Sequence, residues 1–173
     1  GVDDTPELGL KYLEELVPEQ PGSTLARKQA YVETGPGMID WLRSKGIPMV
    51  YCDGWPDYYD EKPGGQPRGR SLGMALFDMR KLGPVWKDKL RRSPVFGMTA
   101  MSVSEATDWG VFSKPSALPF GLLAKRFKQG LVCYGGALSG GLLKALLDRG
   151  IEPMLDAGAD ELIVDDHGRV IGV

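Results

Sequence analysis

Twenty-four glycines and 13 prolines, scattered along 173 residues, limit this chain to short elements joined by many loops. Glycine weakens helix and strand interiors, and proline removes a backbone donor, so neither tolerates long uninterrupted structure. The scatter is not periodic, which excludes a fibrous or low-complexity chain. With 42% hydrophobic and 25% charged residues, the composition is that of a globular protein with one buried core. A net charge of −2 gives no general attraction to nucleic acid or an anionic membrane. No apolar run approaches the roughly 20 residues of a membrane helix. The opening GVDDTPE has neither the basic nor the apolar region of a signal peptide.

Cys52 and Cys133 are far apart and form no CxxC pair. A disulfide-built scaffold would need more cysteines, so a reducing, cytoplasmic setting is expected, with a single bridge between the two left open. His167 is the only histidine. Two separated thiols and one imidazole make a poor ligand set, so no metal site is expected.

Thr5-Pro6 reads as N-cap and first position of a helix carrying Leu10, Leu13 and Val17, which Pro18 ends. A second helix starts near Ser23 or Thr24. Gly35-Pro36-Gly37 is expected to interrupt it, with Pro36 opening a third helix that Gly46 closes. Ile47–Cys52 then predicts a strand. Lys87, Lys89, Arg91 and Arg92 read as the solvated face of a helix. Ser104-Glu105 is a candidate cap for a short helix, and residues 115–128 read as one or two more. Leu142, Leu143, Leu146 and Leu147 show helical spacing ahead of Gly150. Ile151–Leu155, Glu161–Asp165 and Arg169–Val173 predict three strands, the last two joined at Asp166-His167-Gly168. That turn makes His167 an exposed loop residue. The last strand runs to Val173, whose unpaired edge predicts self-association or further chain to pair with.

The most pointed segment is YCDGWPDYYDEKPGGQPRGR, residues 51–70. It places Trp55, Tyr58 and Tyr59 in a loop of Pro, Gly and charged residues. Aromatics in such a loop either form the wall of a pocket for something flat and apolar or fold back as an anchor on the core.

The block DGWPDYYDEKPGG, followed by GRS and FDMRKLG, resembles a region of the flavin-dependent 3-ketosteroid 1-dehydrogenases. The ending GGALSGGLLKALLDRGIEPMLDAGADELIVDDHGRVIGV is similar to a segment of the wider fumarate-reductase-like flavoprotein superfamily. DDTPELGLKYLEELV resembles the helix that follows that superfamily's glycine-rich flavin loop. The resemblance implies an α+β chain that is an internal piece of an α/β FAD-binding domain. Residues 1–133 would be a mostly helical segment carrying the aromatic loop. Residues 134–173 would be a helix, a strand and a small antiparallel meander of the FAD-binding part. The strand–GxGxxG–helix unit that holds a dinucleotide pyrophosphate does not occur in this sequence, nor does a cap domain. FAD is therefore expected to bind weakly or not at all without the remaining chain, and this piece alone is expected to be inactive.

In that family a tyrosine removes a proton beside the 3-keto group while a hydride passes to the flavin, and donors to the keto oxygen stabilise the developing charge. A phenol with a pKa about 10 is a weak base at neutral pH and needs a neighbouring donor. The resemblance assigns that auxiliary role to Tyr58 and the steroid-facing position to Trp55, with Tyr59 a lesser substrate contact. It assigns cofactor contacts to Gly135 and Gly136, where bulk would obstruct close packing, and to the backbone of Ala159. Both have an alternative as ordinary punctuation. Asp60 and Gly73-Met74-Ala75 depart from the family pattern, which bears on the substrate more than on the flavin. Two rivals stand beside this reading. One is another superfamily flavoprotein gripping a dicarboxylate through arginines such as Arg68 and Arg70; the other is a non-enzymatic domain binding a small ligand or partner.

Overall fold

The computed structural model describes residues 3–68, 70–91 and 100–173. Arg92 of the basic run lies outside them. Helix α1 (Pro6–Leu16) starts as expected: Pro6 occupies the first turn and the Leu8 N–H donates to Thr5 Oγ1 at 3.3 Å. Helix α2 (Leu25–Ser44) is capped by Thr24, whose hydroxyl accepts from the Arg27 N–H. It does not break at Gly35-Pro36-Gly37. Pro36 sits inside one continuous 20-residue helix. A proline keeps helical φ and removes one hydrogen bond, a cost that packing of the flanking turns offsets. That packing is α1 on α2. Gly9 permits the close approach, since a Cβ there would stand 3.3 Å from Val32 Cγ1. Lys28, buried to 7% exposure, donates its ammonium to the Val17 carbonyl at the end of α1.

Gly46, at φ 84, ends α2. The Gly46 N–H donates to Arg43 O and the Ile47 N–H to Leu42 O, returning the chain into the core at Ile47. Strand β1 (Met49–Tyr51) lies within the predicted strand and pairs antiparallel with β2 (Leu72–Met74), in the register Met49↔Met74 and Tyr51↔Leu72. The aromatic segment is thus the long connection of a β-hairpin. β3 (Phe77–Asp78) pairs with β4 (Leu131–Val132). A 3₁₀ turn (Met79–Leu82) and α3 (Gly83–Trp86) follow β3. Helix α4 (Val103–Asp108) is capped by Ser102 rather than Ser104, because Glu105 reaches back to the Ser102 N–H in a reciprocal capping box. A 3₁₀ turn (Pro115–Ala117) and α5 (Phe120–Lys128) account for the 115–128 stretch.

Helix α6 (Tyr134–Leu147) closes the core against β2 and β3. Gly140 makes this contact possible: a Cβ there would fall 2.7 Å from the Phe77 ring. Ile47, Met74, Phe77, Met79, Leu82, Val132, Ala137 and Leu143 form the buried cluster. Beyond Gly150 the predicted strand Ile151–Leu155 does not form. Among the described residues no strand lies beside it, and an unpaired strand has no ladder to hold it. The last hairpin does form, as β5 (Ile163–Val164) and β6 (Val170–Gly172), turned at Gly168 with φ 74. The secondary structure is α+β: helices with three two-stranded antiparallel sheets among the described residues.

The accessible surface is 12023 Å², against about 8300 Å² for a compact monomer of this 18.8 kDa mass. Apolar residues contribute to the excess along the chain, and a group of them lies toward the C-terminus, at Met154, Leu162, Ile163, Val164, Val170 and Ile171, each more than half exposed.

Candidate functional site

The loop between β1 and β2 has almost no regular structure, yet it is tied down at many points. Its base continues the ladder, with the Cys52 N–H donating to Ser71 O at 3.0 Å, and Tyr51 Oη donates to Arg68 O at 2.8 Å. Midway, the Asp57 N–H donates to Gln66 O while Asp57 Oδ2 accepts from the Gln66 N–H, both at 3.0 Å. Arg70 then joins the loop to the N-terminal segment. Its Nη2 reaches Asp4 Oδ1 and Gly64 O, both at 2.8 Å, its Nη1 lies 3.8 Å from Asp57 Oδ2, and its guanidinium sits over the Tyr12 ring. At Gly64 (φ 81) the loop backbone lies directly on α1, where a Cβ would come 2.4 Å from Leu8 O.

These ties decide where the aromatics go. Asp57 turns inward, its side chain 9% exposed, so the neighbouring Tyr58 stands outward at 97% exposure. The Tyr59 N–H donates to Tyr12 Oη at 3.1 Å, fastening the next residue to α1. Trp55 is half-buried. Trp55 and Tyr58 line one cavity of about 490 Å³; Tyr59 is outside it. A larger cleft of about 660 Å³, between α1, α2 and the β1–β2 hairpin, includes Arg70 but none of Trp55, Tyr58, Tyr59, Gly135, Gly136 or Ala159.

The opposite wall comes from a part of the chain that carried no functional signal in the sequence: Ala106, Thr107 and the turn Gly110–Ser113 after α4. Gly110, at φ 62, closes α4, and the Val111 N–H donates to Ala106 O at 3.1 Å. The signal that could have found this turn is a capping box followed by a glycine and an apolar residue, a helix with both ends marked. Helix α4 itself is held from behind. Arg126 meets Glu105 through two bonds, at 2.9 and 2.7 Å, and donates to Ala100 O at 2.9 Å. The guanidinium holds the Glu105 carboxyl below the usual range, against the opposing effect of burial.

The predicted cofactor residues lie elsewhere. Gly135 and Gly136 are in the first turn of α6; within this chain a Cβ on Gly135 would meet nothing within 4 Å, and one on Gly136 only ordinary contact with Val132. The tight contact is at Gly140. Ala159 is exposed in the irregular stretch before β5. Cys52 and Cys133 are buried and free. Burial pushes both thiols up, which suits inert core residues rather than thiolate nucleophiles. Among the described residues no group of three or more metal-ligating side chains occurs, and no helix is long and apolar enough to cross a membrane.

No family model matches the chain. A 3-oxosteroid 1-dehydrogenase of Mycolicibacterium smegmatis is 31% identical over 189 residues, covering 100% of this chain and 32% of that protein. A 4-oxocyclohexanecarboxylate 2-dehydrogenase of Sinomonas cyclohexanicum is also 31% identical, covering 100% of this chain and 30% of that protein. Among solved structures, a 3-ketosteroid delta1-dehydrogenase of Sterolibacterium denitrificans in complex with 1,4-androstadiene-3,17-dione is similar with a TM-score of 0.73 at 26% identity. The match covers 95% of this chain and 32% of that one. The chain thus spans about a third of the length of the curated relatives it matches. Over its whole length the chain is similar to 3-oxosteroid 1-dehydrogenases, in line with the resemblance stated above.

Proposed function

We propose that the protein carrying this chain is an FAD-dependent dehydrogenase of a 3-keto steroid or a similar cyclic ketone, and that this chain supplies one wall of its substrate site. The observation that carries the reading is the cavity shared by Trp55 and Tyr58, in a chain similar over its whole length to dehydrogenases of ring ketones. Trp55 offers an apolar face to a flat ring. Tyr58, exposed and next to the anchored Asp57, places a phenolic hydroxyl where it can hydrogen-bond to the tyrosine that removes the substrate proton, a residue contributed by other parts of the protein. Tyr59, fastened through its backbone to Tyr12, has a secondary role at most.

FAD, when bound, would accept the hydride. The residues assigned to it here fit such a group in one respect: the Cβ direction of Gly135, in the first turn of α6, is open. Ala159 would contribute backbone contacts. A dicarboxylate site is disfavoured because Arg68 is paired with Asp53 and Arg70 with Asp4 and Gly64. A cytoplasmic setting agrees with two free buried thiols.

The test is made on the full-length protein. It should purify with bound flavin and reduce an acceptor dye when given a 3-keto steroid. Tyr58→Phe should lower turnover by roughly 10- to 100-fold with FAD still bound. An unchanged rate removes Tyr58 from the mechanism. The 173-residue chain alone should hold little or no FAD, and a stoichiometric flavin spectrum from it would contradict that part of the reading.

A further inference from the structure

Phe112 is 86% exposed on a rigidly closed turn, directly across the cavity from the aromatic loop. An exposed aromatic on a mobile tail would mean little; this one is held. Its turn is bonded back through the Val111 N–H to Ala106 O and the Ser113 N–H to Gly110 O, and α4 beneath it is fixed by the Glu105–Arg126 pair. The two hydroxyls of this wall are committed internally, Thr107 donating to Val103 O at 3.1 Å and Ser113 to Gly110 O at 3.3 Å. Among the described residues no Lys, Arg or His lines the cavity, and the one carboxylate at its edge is that of Asp57.

Two features of an occupant follow. Asp57 is turned inward and paired with Arg70, so a carboxylated ligand would find no free cation among the described lining residues, and the occupant is neutral. The open groove between the two walls measures about 490 Å³, well above the roughly 150 Å³ of a cavity that holds one benzene ring. We propose, resting on the reading above, that the Gly110–Ser113 turn is the selectivity wall of the site, with Phe112 and Val111 set to receive the rings of a neutral polycyclic ketone remote from its reacting end. Trp55 and Tyr58 face the same molecule from the other side. Single-ring keto acids are excluded by charge and fill too little of the space.

The experiment measures binding to the full-length holoprotein, by quenching of tryptophan fluorescence, with two probes: 1,4-androstadiene-3,17-dione and 4-oxocyclohexanecarboxylate. The wild type should bind the first and bind the second at least ten-fold more weakly. Phe112→Ala should weaken androstadienedione binding about ten-fold or more, while Phe112→Trp, which keeps an aromatic wall, should stay within about three-fold of wild type. Flavin content and melting temperature should be unchanged in both variants, since the side chain is exposed. Unaltered binding in Phe112→Ala would overturn the proposal while leaving the steroid reading intact, and so would equal losses in the two variants. A wild type that preferred the keto acid would overturn the charge and size argument. A wild type that bound neither probe would remove the steroid reading itself, and the proposal with it.

Discussion

The loop from Cys52 to Ser71 and the hairpin from Ile163 to Gly172 are opposites. The loop has little regular structure but is held by side chains and backbone from α1, β1 and its own far end. The hairpin has a short ladder with a bulge at Ile171 and a well-formed turn, in which Asp165 Oδ1 accepts from the His167 and Arg169 N–H groups at 2.9 Å, yet its apolar residues are exposed along both strands. Hydrogen-bonded regularity and burial are separate achievements. A two-stranded ribbon is marginal until a face is covered, whereas an irregular loop with enough ties behaves as part of the core.

The sharpest way to break this contrast is Gly64→Ala, which puts a Cβ against Leu8 O in a left-handed conformation. It should cost about 3 kcal/mol in urea unfolding of the purified chain; a change below about 1 kcal/mol would mean the loop is not docked as described. Next comes Arg70→Met, which removes the bond to Asp4 and strands the nearby Asp57. A loss of about 1–2 kcal/mol is expected, shrinking as salt is added. On the opposing wall, Glu105 has a folded-state pKa lowered chiefly by Arg126. Its contribution is therefore complete above the ordinary value of about 4.5 and is lost as pH falls through the lowered folded value. Glu105→Gln should flatten the acid limb of a stability–pH profile, and an unchanged limb would refute the assignment. The smallest effect is reserved for the hairpin: Ile171→Thr should alter stability of the chain by less than about 0.5 kcal/mol. The same hairpin should drive self-association of the purified chain in sedimentation, and Ile171→Lys should reduce it.

Local signals were legible where one residue decides a backbone state. Thr5, Thr24, Gly46 and Gly168 all mark the ends or turns that the sequence suggests. The signals misled where tertiary packing outvotes a local preference. Pro36 ought to break a helix and does not, in a helix whose preceding turn packs on α1 at Val32. Ile151–Leu155 has the composition of a strand but no strand partner among the described residues. Of the candidate cavity, the aromatic half was legible in Trp55 and Tyr58, since wet aromatics in a proline-bounded loop call for an explanation. Its other half could not, because nothing in the spacing of Thr107, Val111 and Phe112 tells that α4 will be carried across to face them. That placement depends on Arg126, a residue from the next helix, finding Glu105.

The two buried thiols have a use that concerns neither packing nor catalysis. Cys52 sits at the root of the aromatic loop, its sulfur so close over Gly73 that a Cβ there would stand 2.7 Å away, and Cys133 donates to Met74 O from the start of α6. At 2% and 3% exposure, neither can meet an alkylating reagent until β2 lifts away from its neighbours. The rate at which each thiol is labelled is therefore a clock for local opening, already installed at the two points where the aromatic loop and the last helix join the core.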